Sequence, residues 1–306
     1  MKNFRRIFGH IFLGVISLAA CLTVADAQEA DTVYRLETRP YDPELDANID
    51  MYISNWRDAT AIRTHGCLVE REILTHGDPN HPRRKGAVLK YVNRFSYATL
   101  YARNETTPFT PEGEQEIFYI TSGTGQVRSE KTTAVLSTGI FVLVPDGVAF
   151  TMENTGDEPL SMYVIVEPIT REDFTPHDDI KVVDENKLPI LTTTGHWSMI
   201  IKQAYKLTDD LSIIEYVNTI TFDPMTIGHP HAHVDGCEEV WTEVEGESIL
   251  FLGKQVRMQP PGTAYLCPPY GNCTHSNINV TDAPVKLLYF AVRNDWSESD
   301  GIKRVK

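Results

Sequence analysis

Residues 229 to 239 contain side chains that can bind a metal ion together. His229, His231 and His233 alternate along the chain, and Glu239 follows six residues after His233. On a β-strand, residues two apart share one face, so the alternating imidazoles point the same way. Imidazole nitrogens and a carboxylate are good ligands for a divalent transition metal. The spacing therefore predicts a metal centre, in which we expect His229 to support a ligand or to be exposed rather than to bind the ion.

The composition is that of a globular protein whose first residues form an export signal. Hydrophobic residues make up 42% of the chain, and the formal net charge of −14 argues against nucleic-acid binding. The N-terminus has a basic start, an apolar run and small residues, as secretory signal peptides do. No later stretch approaches the roughly 20 apolar residues of a transmembrane helix. We expect a periplasmic or extracellular protein.

Two cleavage sites compete in this signal. Ala25, Asp26 and Ala27 before Gln28 have the small-x-small form of an ordinary cleavage site. Residues 18–21, with the sequence LAAC, resemble a lipobox, which would leave a lipoprotein anchored through Cys21. The apolar run continues past Cys21, so we favour cleavage before Gln28.

The sequence repeats itself at an offset of 123 residues. Residues 113–123 align with residues 236–246, and residues 139–145 align with residues 262–268. Each copy consists of short runs of β-branched and aromatic residues bounded by Gly, Pro, Asn and Asp, a pattern typical of antiparallel sandwiches and barrels. The chain therefore contains two copies of one all-β domain.

The second copy resembles the cupins, which are small β-barrels of jelly-roll type. The first cupin motif is matched by His231, His233, Glu239 and Gly246, and the second by Gly262, Pro268, Gly271, His275 and Asn279. Met225 replaces the leading glycine of the first motif, five residues instead of three or four precede the glutamate, and one extra residue stands on either side of Gly271. The resemblance implies a bicupin with two tandem barrels.

The resemblance also implies a ligand set for one divalent transition metal, Mn, Fe, Ni or Zn: His231, His233, Glu239 and His275. The family spacing counted from His233 favours Glu238 as the carboxylate ligand, whereas counting back from Gly246 favours Glu239. Strand register decides for Glu239, because it shares its face with Trp241.

The first copy keeps the repeat but loses the ligands. At the offset of 123, Pro108 and Thr110 stand where the second copy has His231 and His233. Counted along the second motif from Gly139, Phe150 stands where the family has its histidine. Glu116 is the one ligand retained. A lone carboxylate is a poor transition-metal site, so we expect the first copy to be structural.

The repeat and the resemblance divide the chain into five segments. They are a signal peptide (1–27), an N-terminal arm on the first barrel (28–85), the first barrel (86–178), a connecting segment (179–205) and the second, metal-binding barrel (206–298). His196 and Trp197 in the connecting segment could line the mouth of the second barrel. Bicupins often assemble through barrel edges, so a homo-oligomer is an option.

Four cysteines remain after the signal: Cys67, Cys237, Cys267 and Cys273. Export permits a disulfide, but the sequence selects none of the three pairings. We expect Cys237 and Cys273 near the metal, either as a disulfide or as buried thiols.

The resemblance favours an enzyme that uses one metal to act on a small oxygen-rich substrate such as a sugar, uronate or organic acid. Isomerase, lyase, dioxygenase and decarboxylase chemistry all occur among cupins, and the fold does not choose between them. The alternative is a non-catalytic protein that binds a sugar or a metal.

Glu243 is the candidate for acid–base catalysis. It lies four residues beyond Glu239, on the inward face of the same strand, where cupins usually carry an apolar residue. Burying a carboxylate costs free energy unless it is paired, hydrogen-bonded or protonated, and a role in proton transfer would explain its presence. The alternative is that a bulge carries Glu243 to the rim, where Lys254 or Arg257 pairs with it.

Cleavage before Gln28 predicts a mature chain that begins with this residue. Mass spectrometry of protein recovered from the native cell envelope checks it. A diacylglyceryl group on Cys21 would instead establish the lipoprotein.

Overall fold

The structure is a computed structural model that describes residues 41–44, 46–191, 198–233, 236–268 and 273–293. The signal peptide, His196, Trp197 and Gly271 lie outside these ranges. Within them the secondary structure is β, apart from three single-turn 3₁₀ helices at Ile49–Met51, Trp56–Asp58 and Glu185–Lys187. No helix in the described ranges has the length and apolarity to cross a membrane.

Twelve strands are described before residue 192 and nine after it. The former are β1 (Ile53–Asn55), β2 (Ala61–Thr64), β3 (Leu68–His76), β4 (Ala87–Leu89), β5 (Arg94–Leu100), β6 (Glu114–Ser122), β7 (Gly125–Arg128), β8 (Thr133–Leu136), β9 (Ile140–Val144), β10 (Thr151–Asn154), β11 (Leu160–Pro168) and β12 (Lys181–Asp184). The latter are β13 (Met199–Lys206), β14 (Ile214–Phe222), β15 (Thr226–Ile227), β16 (Cys237–Glu245), β17 (Ser248–Leu252), β18 (Gln255–Gln259), β19 (Thr263–Leu266), β20 (His275–Asn279) and β21 (Val285–Arg293).

The two halves repeat one topology. The first half has a large sheet of order β12-β9-β6-β11-β5-β3-β2, with β4 beside β3, and a small sheet β10-β7-β8. The second half has a large sheet β1-β19-β16-β21-β14-β13 and a small sheet β15-β20-β17-β18. The predicted all-β fold of two tandem jelly-roll barrels is confirmed, because equivalent strands follow in the same order.

Both large sheets are buried on both faces. Along β16, Trp241 packs inside the second barrel, whereas Val240 packs into a core between the halves. Along β21, Tyr289 packs inside the second barrel and Phe290 packs into the core between the halves. Phe118 on β6 faces a third core, inside the first barrel. Because the central strands of the large sheets, such as β6, β11, β16 and β21, are buried from two sides, the side chains that they direct into the barrel have little freedom to move.

The segment 28–85, expected as an arm on the first barrel, supplies strands to both large sheets. β2 and β3 extend the first sheet, but β1 pairs with β19 of the second barrel, with Ile53 opposite Tyr265. In the first barrel, β12 occupies the matching place beside β9. Each barrel thus has its edge strand covered by a segment from outside its own repeat, which satisfies the backbone groups of that edge.

Two buried carboxylates join the halves. Glu238 on β16 accepts hydrogen bonds from the backbone N–H groups of Lys90, Tyr91 and Val92, which precede β5. Glu167 on β11 accepts from three consecutive N–H groups, of residues 212 to 214, which lead into β14. A buried N–H group without an acceptor is costly, so each glutamate fixes the start of a strand in the other half.

Replacement of Glu238 by leucine should lower the free energy of unfolding by roughly 3 kcal/mol or more, because three buried N–H groups lose their acceptor. Glu238→Gln keeps one acceptor oxygen and should cost less. Urea unfolding of both variants measures the difference. A leucine variant as stable as the glutamine variant would contradict the role of the carboxylate.

Candidate metal centre

Three histidines and one glutamate converge inside the second barrel. One ligand atom from each of His231, His233, Glu239 and His275 can be chosen so that all four lie within 4.8 Å of one another. β16 carries the glutamate, and His275 opens β20. His231 is opposite His275 in an isolated antiparallel bridge, with backbone hydrogen bonds of 2.8 and 3.3 Å. This bridge positions the two rings side by side, with centroids 4.4 Å apart.

The Glu239 carboxylate is the centre of this cluster. Its Oε1 lies 3.0 Å from Nε2 of His275, and its Oε2 lies 2.5 Å from Nε2 of His233. Trp241 donates its indole N–H to Oε1, and the Tyr289 hydroxyl lies 3.5 Å from Oε2. Burial by itself raises the pKa of this carboxyl, but the neighbouring His275 and His233 hold the pKa well below its usual range. The carboxylate is therefore ionised, as a metal ligand must be.

The His231 ring is held in the state that a metal requires. Its Nδ1 is 2.8 Å from the carbonyl oxygen of His229, so Nδ1–H donates there and Nε2 is left as the ligand atom. Burial, followed by the charge of His275, lowers the pKa of His231 to about 4. The imidazole is then neutral near pH 7. The side chain of His229 is exposed and its carbonyl supports the ligand, which agrees with the supporting role expected for this residue.

The four side chains fit a transition metal. Ligands bonded to one ion at about 2.1 Å lie at most about 4.2 Å apart, so a contraction of a few tenths of an ångström would complete the set. Three imidazoles and one carboxylate suit Mn, Fe, Ni or Zn. Nε2 of His233 approaches Glu239 without the alignment of a hydrogen bond, as two ligands directed at one point would. When bound, such an ion supplies a Lewis acid with coordination positions for a substrate.

Glu238 and the cysteines take other places. The structure places Glu239 with the histidines, while Glu238 accepts from the backbone of the first half. Cys67, Cys267 and Cys273 are free thiols in the described part of the chain, and Cys237 is buried at the start of β16. Cys267, which the sequence did not single out, is the thiol with a recorded contact to the cluster, 3.9 Å from Oε1 of Glu239. Its position one residue before the motif proline was the available signal.

In the first barrel, a cation and a histidine take the place of the ligands. Glu116 has Arg94 on one oxygen, at 3.1 Å, and Nε2 of His65 on the other, at 2.9 Å. Phe109 and Phe150 form the bridge that matches His231 and His275, and their rings pack on His65. The sequence alignment had placed Pro108 and Thr110 at the ligand positions. Phe109 is the structural equivalent of His231, because the segment between this bridge and the repeated glutamate is one residue shorter in the first barrel.

A cavity of about 450 Å³ opens beside the cluster. It is lined by alternate residues of four adjacent strands: Met199, Ile201 and Gln203 of β13, Tyr216, Asn218 and Ile220 of β14, Tyr289 and Arg293 of β21, and Glu239 and Trp241 of β16. Leu191, Glu215 and His231 complete the lining. A substrate in this cavity would touch both the proposed metal ligands and the polar groups of β14 and β21.

Glu243 is buried inside the barrel but does not line this cavity among the residues described. The side chain of Ser248 donates a hydrogen bond of 2.8 Å to it. The rim pairing considered from the sequence is absent from the described contacts: Lys254 pairs with Asp46, and Arg257 with Asp50. Burial raises the pKa of Glu243 to about 8. Its catalytic role stays a prediction.

Several cavity residues were missed by sequence reasoning, chiefly Glu215, Asn218, Tyr289 and Arg293. For β21 a signal existed, since Tyr289 and Arg293 are four residues apart in a strand and share a face. For Glu215 there was none, because a register shift between Ile214 and Tyr216 places it.

The fold and the domain match define the class of protein. The Cupin_2 family, described as the cupin domain, matches residues 99–166, which lie in the first barrel. The first barrel therefore contains a cupin domain, and the chain as a whole has the two-barrel fold of solved cupin structures. The match falls on the barrel without the histidine cluster, so it identifies the fold and not the metal centre. No curated protein matches the sequence.

Solved structures of similar fold include three bacterial proteins. A putative glyoxylate-induced protein from Pseudomonas aeruginosa has a TM-score of 0.61 at 13% identity, covering 80% of this chain and 84% of that one. Bacillus subtilis oxalate decarboxylase, a protein with Mn(II) centres, has a TM-score of 0.59 at 12% identity, covering 82% and 80%. AerE from Microcystis aeruginosa has a TM-score of 0.59 at 11% identity, covering 79% and 99%. At these identities the likeness shows the fold alone.

The convergence of ligands in one barrel predicts one tightly bound first-row transition metal per chain. Simultaneous replacement of His231 and His275 by alanine should abolish it without unfolding the protein, because the core of the first barrel and the core between the halves do not include these residues. Elemental analysis of the purified protein gives the stoichiometry, and Glu116→Gln in the first barrel is the matched control. Two equivalents per chain, or metal retained in the double variant, would contradict this assignment.

Glu243 should make the protein less stable as the pH rises. Because its pKa in the fold is above the unfolded value of 4.5, the folded state holds a proton that the unfolded state releases, and stability falls between about pH 5 and 8. Glu243→Gln has no proton to lose. Its stability relative to the parent should increase by about 2 to 4 kcal/mol from pH 5 to pH 8, measured by denaturant unfolding. The exposed Glu172→Gln is the control, and an equal pH dependence in all three proteins would be evidence against a raised pKa.

Proposed function

We propose that the protein is a metal-dependent enzyme that acts on a small organic substrate in the cavity of the second barrel. One observation carries the proposal: four convergent ligands of transition-metal type form part of the wall of a substrate-sized cavity. A purely structural metal site would have its ligands closed around the ion. Here Glu239 and His231 face open space.

The metal is proposed to be a divalent first-row ion. Mn(II) is the first to test, because a protein of the same fold has Mn(II) centres. The three nitrogen ligands equally suit Fe, Ni and Zn. When bound, the ion would polarise an oxygen of the substrate. The chain's own residues would orient the rest of the molecule.

The polar residues of the cavity have roles that do not depend on the ion. Tyr289 and Trp241 contact the Glu239 carboxylate and hold its orientation. Asn218 is buried, and its Oδ1 has no partner among the described residues, so it can accept a hydrogen bond from a substrate. The pair of Glu215 and Arg293 adds charged groups at a distance from the histidines along β14 and β21. Decarboxylation, isomerisation, elimination and oxygenation all remain candidate reactions for such a site.

A non-catalytic binding protein is the second candidate, because much of the cavity wall is apolar. Leu191, Met199, Ile201 and Ile220 contribute no acid or base. The presence of Glu215, Arg293 and Tyr289 in the same wall favours catalysis over storage. We also propose export from the cell, on the N-terminal signal alone.

The test is turnover by metal-loaded protein. Metal-free protein reconstituted separately with Mn(II), Fe(II), Ni(II) and Zn(II) is incubated with panels of organic acids, sugars and uronates, and products are followed by NMR. Turnover should require one of these metals and be absent from the variant with alanine at His231 and His275. Tight binding of a compound with no turnover under any metal would establish the binding protein instead.

On a substrate that is turned over, Glu243→Gln decides the role of Glu243. A general acid or base is worth roughly 100-fold in rate, and a loss of this size with metal retained would establish one. The distance of Glu243 from the cavity lining favours a structural role, which turnover within a few-fold of the parent would establish.

A further inference from the structure

The charged side chains of the cavity, in the described part of the chain, are Glu239, Glu215 and Arg293. Nε of Arg293 lies 2.9 Å from Oε2 of Glu215. The Glu215 side chain is 4% exposed and that of Arg293 is 40% exposed, so the carboxylate is buried beneath a guanidinium that faces the open side. The pair belongs to the cavity and is separate from the histidine cluster.

The register of β21 and a bulge in β14 bring this pair together. Arg293 shares the inward face of β21 with Tyr289, and Ala291 between them is opposite Glu239 on β16. Glu215 is the extra residue of a bulge in β14, where the register shifts between Ile214 and Tyr216. A bulge redirects a side chain that strict alternation would turn to the other face. Here it brings a carboxylate into the cavity beside Arg293.

Only the Nε of Arg293 has a described partner. A guanidinium has five N–H donors in a planar fork, and the outer edge can bind a carboxylate through two of them. The ion pair with Glu215 holds the guanidinium at this place in the cavity, with Nε 2.9 Å from Oε2 but without the alignment of a hydrogen bond. The outer edge is then presented to whatever enters the cavity.

The charges of the cavity define the charge of its ligand. With a divalent ion bound, the positive charges are those of the ion and Arg293, and the negative charges are those of Glu239 and Glu215. One positive charge is left over, because imidazoles that ligate a metal ion are neutral. A poorly solvated site avoids an uncompensated charge, so a monoanion is the favoured occupant and a dianion is not.

The remaining wall indicates what the monoanion carries. Apolar and aromatic side chains make up much of the remaining lining: Leu191, Met199, Ile201, Ile220, Tyr216 and Trp241. A carbohydrate, with a hydroxyl on nearly every carbon, would leave polar groups unpaired against this wall. An alkyl or aryl group would not.

We propose that the substrate is a monocarboxylic acid with an apolar body, and that the terminal nitrogens of Arg293, oriented by Glu215, bind its carboxylate. The inference rests on the proposed function, because the metal enters the charge balance. Arg293 is a specificity-determining residue in this assignment, and Glu215 is a positioning residue.

The test measures binding with three probes that share a phenyl body. They are mandelate, a monoanion; mandelamide, its neutral counterpart; and phenylmalonate, a dianion. Titration calorimetry uses the full-length mature protein loaded with Mn(II). Mandelate should bind at least tenfold more tightly than either of the other two. Removal of the metal should abolish the preference for mandelate over mandelamide, because the site then carries a net negative charge, and phenylmalonate should remain the weaker-binding anion.

Variants separate the role of Arg293 from general stability. Arg293→Gln should reduce the preference for mandelate over mandelamide to within threefold, and Arg293→Lys should keep part of it. Glu215→Gln leaves a second positive charge, so phenylmalonate should gain at least tenfold relative to mandelate. Arg257→Gln, which removes the ion pair with Asp50 on the outside of the same barrel, should change neither ratio.

The outcomes distinguish this inference from the proposed function. Protein that binds no metal would overturn both. Protein that holds its metal, but in which Arg293→Gln keeps the full preference for mandelate, would overturn the inference and leave the metal enzyme standing. Melting temperatures show which variants fold. If Arg293→Gln does not fold, two other shifts decide: a partly reduced preference for mandelate over mandelamide in Arg293→Lys, and a gain of phenylmalonate relative to mandelate in Glu215→Gln. Unchanged ratios in both variants would overturn the proposal.

Discussion

The structure depends on one buried carboxylate that occurs twice. Glu116 and Glu239 occupy the same position of the repeat, each on the inward face of a large sheet and each almost wholly buried. A carboxylate there is costly unless cations or hydrogen-bond donors surround it. The first barrel supplies Arg94 and His65. The second supplies His233 and His275, together with the indole of Trp241. The two solutions to one electrostatic problem explain why one barrel is filled and the other can bind a metal.

The two barrels differ in the charge beside the glutamate and in the space around it. In the first barrel the guanidinium of Arg94 supplies a permanent positive charge beside Glu116, and it also pairs with Glu70. The Phe109 and Phe150 rings close the space around His65. In the second barrel the neighbours are imidazoles, and the low pKa of His231 leaves that ring neutral near pH 7. The second cluster therefore lacks a permanent positive charge, which a divalent ion would supply. The cavity beside it gives a substrate access to that ion.

Much of this arrangement could be predicted from residue spacing. The ligands of the second barrel follow from two motifs, and Glu239 was separated from Glu238 by the alternation of side chains along one strand. The loss of ligands in the first barrel was also visible in the offset of the repeat. His65 was not, because it lies 51 residues from Glu116 in the chain and outside the two stretches that align at the offset of the repeat. Contacts between distant segments depend on the packing of the whole barrel, and no local period reports them.

Glu215 shows a second limit of sequence patterns, and it bears on function. Alternation assigns a face to every strand residue only while the register is unbroken, and one bulge reverses the assignment for the residues around it. In β14 the bulge falls at Glu215, and in β16 a register shift falls between Glu243 and Glu245. The first brings a charge into the cavity, whereas Glu243, which precedes the second, keeps the inward face that alternation predicted and packs away from the cavity. Facing inward is therefore not enough to place a residue at the reaction site. The covering sheet decides, since Ser248 of the small sheet contacts Glu243, whereas Ile220 of β14, which is opposite the same residue Leu287, lines the cavity.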